Sequence, residues 1–427
     1  MGDISSEMSS LSVVCPTFDA SQKLADSPFT IDWVLSALSS ADDKYIALRK
    51  NSNIKGVTAI DISGGKGFIS KVYKVSIEFE DSTTLPYHVI LKVPGTDSFE
   101  EMMADLEEMK ESPMNDRKVA KVHNTECEFY SNFASQIDIS LPKVYKIQEC
   151  ILGKQHGAIL MESFVGRADS VPVCIGANVQ QAFEVAKQLA HLQKYFLCLP
   201  PDQWTGKYGT EEFDSFAKTD FFGSFFDKLR QAKPGVFDKG VELFARYTKE
   251  VKFYKYTTCD IYKDVGLPIG FSHGDFWNNN MLWELNADGS ISNQLAAIID
   301  WQGMHEGCMT NDLARFIAIS VDGDIRREYE DDVLRYYYDT LAKLLKEEGR
   351  IIDFTFDKVK RAYYGNFVQA TIVVMMAGPF LYMNKEWSTE EKPIKAAQLE
   401  KILLRAEFAM EDALERFNDL PEEKLRD

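Results

Sequence analysis

Apolar residues first recur at helical spacing just after Thr30. Ile31, Val34, Leu35 and Leu38 share one stripe, Pro28 lies just upstream and Thr30 is placed to cap, so a helix is expected to pack on the first lobe. The period then shortens. VTAIDIS, GGKGFISKVYKVSIEFED and PYHVILKVP, within 57–94, read as strands, and LPKVYKIQE and HGAILMESF as two more. Beyond residue 163 the helical period returns. In NVQQAFEVAKQLAHLQKYF, residues Val179, Ala182, Phe183, Ala186 and Ala190 mark a buried helix. Residues 200–260 mix Phe, Tyr and Trp with Pro breaks and charges. They predict short helices and loops in a substrate-facing insert, with Trp204, Phe221, Phe222, Phe225 and Phe226 as core. MLWEL (281–285) and QLAAIID (294–300) read as strands joined at Asp288-Gly289, a hairpin that sets Asn280 roughly opposite Asp300. The remainder reads as helices: one opening at Asp312, one stopping at Gly349, one through 356–384, and a last one over 394–417.

Composition narrows the classes. The net charge of −18 argues against a general binder of nucleic acid or of anionic membrane. Seven dispersed cysteines (Cys15, Cys127, Cys150, Cys174, Cys198, Cys259, Cys308) have no paired metal spacing, which suggests reduced thiols in a cytoplasmic protein. Residues 1–26 are Ser-rich, lack the basic start and apolar run of a signal peptide, and are expected to form a disordered tail. Met1-Gly2 with Ser6 matches a myristoylation pattern superficially, with acidic Asp3 against it. The acidic stretch FEEMMADLEEMKE reads as a solvated surface. No charge occurs from Ala362 to Asn384, which raises a membrane span. Asn366, Gln369 and the Gly378-Pro379 break favour a buried core helix instead, so no span is expected.

The chemistry concentrates in FSHGDFWNNNMLWELNADGSISNQLAAIIDWQ, residues 271–302. Moving a phosphoryl group to a hydroxyl needs a carboxylate to take the proton and hard oxygen ligands for Mg²⁺. Asp275 is the candidate base, and Asn280 and Asp300 are the candidate metal ligands. HGDFWNNN followed by IIDWQ resembles the catalytic loop and metal-binding Asp of aminoglycoside phosphotransferase-like and choline-kinase-like enzymes. It is most similar to their ecdysteroid-kinase-like (CHK kinase-like) branch, nematode members included.

That resemblance implies a bilobal, protein-kinase-like α+β fold, with a strand-rich lobe over 27–163 and a helical lobe over 164–427. It implies ATP and Mg²⁺ as cofactors and a small-molecule alcohol as acceptor; sterol-, choline- and sugar-like alcohols all fit. Gly65, Gly67 and Ser70 then stand where a glycine loop covers the phosphates, with Ser in place of the third glycine. Lys92 grips the phosphates, oriented by Glu126, which fits the family's E-x-x-F-Y spacing better than its neighbour Glu128. Met161, Glu162 and Ser163 mark the connector whose backbone reads the nucleotide base. His273 and Asp312 are expected to brace the loop, Trp277 to shape it or face substrate, and His305 and Glu306 to line the acceptor pocket. Gly274 stands where regulated protein kinases carry Arg, and eleven residues separate Asp300 from Asp312. Both points favour a small acceptor over a protein. The rival readings are a non-catalytic nucleotide-binding scaffold and a protein kinase.

Overall fold

The computed structural model describes residues 19–63, 69–95, 115–209, 216–383 and 387–426. Gly65 and Gly67 of the expected glycine loop lie outside them, as does the whole acidic stretch. The expected bilobal, protein-kinase-like arrangement is present.

The N-terminal lobe is an antiparallel sheet of β1 (Ile54–Asp61), β2 (Ser70–Phe79), β3 (Tyr87–Pro94), β4 (Val144–Gln148) and β5 (Ala158–Glu162), in the order β1-β2-β3-β5-β4. Strand alternation decides what β3 does. Val89, Leu91 and Val93 turn into a core shared with helix α1 (Ile31–Ala41), while Ile90 and Lys92 face the other way. Thr30 caps α1 as expected, its hydroxyl accepting from the Trp33 N–H at 3.2 Å. Helix α2 (Asp43–Asn51) follows, and α3 (Asp116–Asn132) packs across the sheet.

The expected tail through residue 26 runs too far. Leu24 is buried in the same core as α1, and the Asp26 carboxylate accepts from Lys71 Nζ and the Tyr73 hydroxyl, both at 2.7 Å. Apolar burial of a single leucine and two bonds to β2 tie this segment down despite its polar surroundings.

After β5 the chain crosses to the C-terminal lobe through β6 (Ala168–Asp169), which pairs with β8 (Met281–Leu285) beside β9 (Ile291–Ile298). Strand β7 (Gly270–Ser272) pairs with β10 (His305–Gly307). Helix α4 (Val179–Cys198) supports β7 from beneath: Gln193 donates to the Phe271 carbonyl at 2.6 Å and accepts its N–H at 3.2 Å. The large helices are α5 (Asn311–Ser320), α6 (Gly323–Glu347), α7 (Phe356–Gly378) and α8 (Lys392–Phe417). The segment 356–383 is long and apolar enough to cross a membrane by length and composition, but 78% of its most apolar window is buried within this lobe. Asn366 in its middle donates to the Thr257 carbonyl at 2.7 Å and accepts from the Thr310 hydroxyl at 2.6 Å.

Candidate active site

The loop after β7 is held by its neighbours before any substrate is considered. Asp312, at the start of α5, accepts the backbone N–H groups of His273 at 2.7 Å and Gly274 at 3.0 Å. Burial pushes the Asp312 carboxyl up, against these two bonds. His273 Nδ1 accepts from the Asp275 N–H at 3.2 Å, so Nε2 carries the proton and donates to the Ile299 carbonyl at 3.0 Å. His273 therefore staples the loop to the residue before Asp300, a bracing role as expected. Gly274 has a steric reason of its own: φ is +85°, and a Cβ there would sit 2.1 Å from the Gly303 carbonyl oxygen.

Asp275 is enclosed by donors. Arg315 Nη2 reaches Oδ1 at 2.6 Å, and Trp277 Nε1 and Asn280 Nδ2 reach Oδ2 at 3.2 and 3.1 Å. Asn280 Nδ2 also donates to the Asp275 carbonyl at 2.7 Å, which commits its amide nitrogen to the loop and leaves Oδ1 as the side-chain atom that could take a cation.

The hairpin sets Asn280 roughly opposite Asp300, as expected, one place short of it. Strand β9 begins at Ile291 and ends at Ile298, earlier than 294–300, and Met281 pairs with Ile298. Asn280 thus lies opposite Ile299, whose N–H it accepts at 3.0 Å, and not opposite Asp300. Two irregularities in the ladder, around Leu282, Trp283 and Leu285, bring it that close: the turn-end pair Leu285–Ile291, continued without them, would set Asn280 opposite Ala296. Asp300 leaves the strand in a left-handed conformation, φ +70° and ψ +56°, a conformation Asp tolerates better than most residues.

That kink turns Asp300 toward Lys92. The buried Lys92 ammonium pairs with Glu126 Oε2 at 2.5 Å and with Asp300 Oδ1. Burial opposes its charge, but the Asp300 and Glu126 carboxylates outweigh that and hold its pKa above the usual lysine range. Glu126 is the partner and Glu128, two residues on, is exposed. Trp301 stacks on Phe129 at 3.7 Å and 5°, fixing the Asp300 turn against the helix that carries Glu126.

One turn before Glu126, His123 is buried, with Nε2 bonded to the Gln148 carbonyl at 3.0 Å and Nδ1 without a hydrogen-bond partner. Burial, only partly offset by that carbonyl and reinforced by Lys92, lowers its pKa to about 4. An unfolded histidine titrates near about 6.5. Between these values the unfolded chain binds a proton that the folded chain does not, so stability falls as pH drops below about 6.5. The loss reaches about 3 kcal/mol at pH 4. His123→Gln keeps a donor for the Gln148 carbonyl without the titration. Its melting temperature is expected to fall less than the wild type's between pH 7 and pH 4.5 in paired thermal melts.

Two cavities meet at this loop. The smaller, about 220 Å³, is lined by Ser70, Lys92, Glu126, Met161, Asn280 and Asp300 among others. The larger, about 630 Å³, has apolar walls that include Phe216, Phe221, Phe222, Val373, Met376 and Phe380. Ile69, Asp275, Trp277 and Gln302 line both. The expected base thus stands at the junction.

Of the connector residues, only Met161 lines the small cavity. The Glu162 carboxylate instead takes Arg167 at 2.7 Å, and the Ser163 hydroxyl accepts from the Val165 N–H at 3.3 Å, so both side chains shape the crossing. His305 lines the large cavity as expected. Glu306 does not: its carboxylate accepts the N–H groups of Gly206, Lys207 and Tyr208 at 2.7–2.8 Å and so folds a wall of that cavity. Arg315 went unread in the sequence. Its one signal is the spacing from Asp312, three residues earlier on the same helix.

The fit to Mg²⁺ can be judged from these donors. Among the described residues no group of three or more His, Cys, Asp or Glu side chains forms a metal cage. Magnesium held with a nucleotide needs only one or two protein oxygens, because phosphates and water fill the rest of its shell. Asn280 Oδ1 and the Asp300 carboxylate, both on the small cavity, meet that need.

Residues 47–419 match the family model DUF1679, described as "Uncharacterized oxidoreductase dhs-27". The Caenorhabditis elegans protein of that name is 27% identical over 348 residues, which are 79% of this chain and 40% of that protein. The chain thus spans well under half of that relative. The C. elegans "Uncharacterized kinase-like protein D1044.1" is 23% identical over 296 residues, 65% of this chain and 70% of that one. Among solved structures, a putative aminoglycoside phosphotransferase of Ralstonia eutropha is 11% identical, with a TM-score of 0.41 over 89% of this chain and 98% of its own. The Plasmodium vivax ethanolamine kinase is 12% identical, with a TM-score of 0.39 over 92% and 89%. At such scores the architecture rests on the strand order and side-chain geometry described above.

Proposed function

The chain belongs to the DUF1679 family, and from the geometry of its cleft we propose that this member is an ATP- and Mg²⁺-dependent phosphotransferase whose acceptor is a hydroxyl of a small molecule. The observation that carries the reading is the junction: Asp275 lines both cavities, and the Lys92, Glu126 and Asp300 cluster floors the smaller one.

In this reading the nucleotide lies in the smaller cavity and the acceptor in the larger. Lys92, steadied by Glu126, holds the phosphates against Ser70 and the sheet. Asn280 and Asp300 are the ligands for Mg²⁺, which neutralises phosphate charge when bound. Asp275 receives the acceptor. A carboxylate offers about four lone-pair positions. Arg315, Trp277 and Asn280 occupy three, so a position remains for one hydroxyl. The hydroxyl oxygen forms a bond to the γ-phosphorus as the bond to the ADP oxygen breaks, and Asp275 takes the hydroxyl proton. Little covalent chemistry falls to the protein, so alignment supplies much of the rate.

The apolar walls are consistent with a largely apolar, sterol-like alcohol, whose hydroxyls can still reach polar lining such as Asn124, Thr125, Tyr208 and Gln302. They are also consistent with the ecdysteroid-kinase-like branch suggested by HGDFWNNN and IIDWQ. The test is an untargeted search for phosphorylated metabolites after incubating small-molecule extract with Mg-ATP and either wild type or Asp275→Asn. The reading expects a phosphorylated alcohol made by the wild type alone. A thermal shift with Mg-ATP but no such product would favour the non-catalytic scaffold, and phosphorylated protein in lysate would favour a protein kinase.

A further inference from the structure

The guanidinium beside the base has no part in the reaction as set out above. Arg315 lies on α5, three residues after Asp312, so both side chains leave the same face of one helix. Asp312 holds the loop by its backbone and Arg315 holds the carboxylate of Asp275, its Nη2 at 2.6 Å from Oδ1. The helix between them is a poor candidate for movement: Asn311, Leu313, Ala314 and Phe316 are buried. Arg315 also lines the large cavity, and its Nε is buried without a hydrogen-bond partner.

Charge around that cavity points the same way. Its lining holds Lys121, Lys207 and Arg315 against Asp275 and Glu128. Asp275 is already paired with Arg315, and Glu128 is exposed at the surface. An ammonium placed next to the reacting hydroxyl would therefore meet the Arg315–Asp275 ion pair, whose carboxylate is already shared among three donors, and not a free carboxylate. Aromatic faces such as Phe221 and Phe222 are what a quaternary ammonium seeks, so it is Arg315 that would decide against it.

We propose that Arg315 is a positioning residue for Asp275 and that its charge makes the site select uncharged alcohols over amino alcohols. This deepens the phosphotransferase reading and rests on it. Lysine keeps the charge but not the planar fork that grips a carboxylate, so the two roles separate in Arg315→Lys.

The test uses the full chain with Mg-ATP and two probes, 1-decanol and 2-amino-1-decanol, which differ by one ammonium beside the hydroxyl. The wild type is expected to favour decanol by about ten-fold or more in kcat/KM, the scale of two like charges a few ångströms apart near a protein surface. Arg315→Gln should lower kcat on decanol by about ten- to a hundred-fold at unchanged KM for ATP, and reduce the preference to within about three-fold. Arg315→Lys should keep the preference and recover only part of kcat. Free guanidinium added to Arg315→Ala should restore turnover, which a merely structural loss would not allow.

An unchanged preference in Arg315→Gln, or a lost one in Arg315→Lys, overturns the selection role. Wild-type kcat in Arg315→Gln overturns the positioning role. ATP hydrolysis by the wild type with transfer to neither probe overturns the acceptor half. If the wild type neither transfers to an alcohol nor hydrolyses ATP faster than Asp275→Asn, the phosphotransferase reading fails first and this inference with it.

Discussion

Asp275→Asn is expected to lower turnover by about two to four orders of magnitude and to leave ATP affinity within about two-fold. The substitution keeps the shape of the side chain. It keeps one acceptor oxygen for the donors around it but replaces the other by an amide that cannot take a proton. Arg315 or the Trp277–Asn280 pair then faces another donor, so the side chain also loses its fixed aim. None of the groups assigned to the phosphates is altered: Lys92 and Glu126 remain paired 2.5 Å apart, and Asn280 and Asp300 keep their oxygens. The effect belongs in kcat and not in the KM for ATP, which steady-state kinetics on an identified acceptor separates. Equal turnover by the two proteins would remove Asp275 as the base.

The second large effect is on nucleotide binding. Asp300→Asn should weaken magnesium-dependent ATP binding by about ten- to a hundred-fold, with little change in the binding of ATP alone. Asparagine is the apt replacement because it also tolerates the left-handed backbone that Asp300 adopts at φ +70°. What it lacks is the negative charge. Lys92 then keeps Glu126 as its ionic partner among the described residues, and the proposed metal site loses its carboxylate. Titration calorimetry with Mg²⁺ and with chelator reads the two contributions apart. Comparable loss in both conditions would mean that Asp300 serves the fold of the cleft and not a metal.

Much of this site can be read before folding, where a contact repeats a local pattern. Lys92 alternates with Leu91 and Val93 along one strand, and the same alternation that buries those two sends its ammonium into the cleft. Glu126 follows from its place on a helix whose Phe129 and Tyr130 are buried. Asp275, Asn280 and Asp300 were legible as a set because loop, hairpin and IIDWQ follow one another closely.

What escaped depends on geometry that no short stretch encodes. Irregularities in the ladder near Trp283 bring Asn280 to within one place of Asp300, and nothing in MLWEL announces them. Arg315 meets Asp275 across forty residues of chain. Glu306 spends its carboxylate on backbone N–H groups about a hundred residues earlier, and such bonds leave no mark on side-chain spacing. Leu24 shows the converse error, since one buried leucine, with the two bonds to Asp26, anchors a segment whose composition suggests a tail.

A crystal structure with Mg²⁺ and a non-hydrolysable ATP analogue tests the central claim most directly. The account predicts the metal on Asn280 Oδ1 and Asp300, phosphate oxygens on Lys92, and the terminal phosphate at the junction facing Asp275. A nucleotide bound in the 630 Å³ cavity, or a metal away from Asn280 and Asp300, would contradict it.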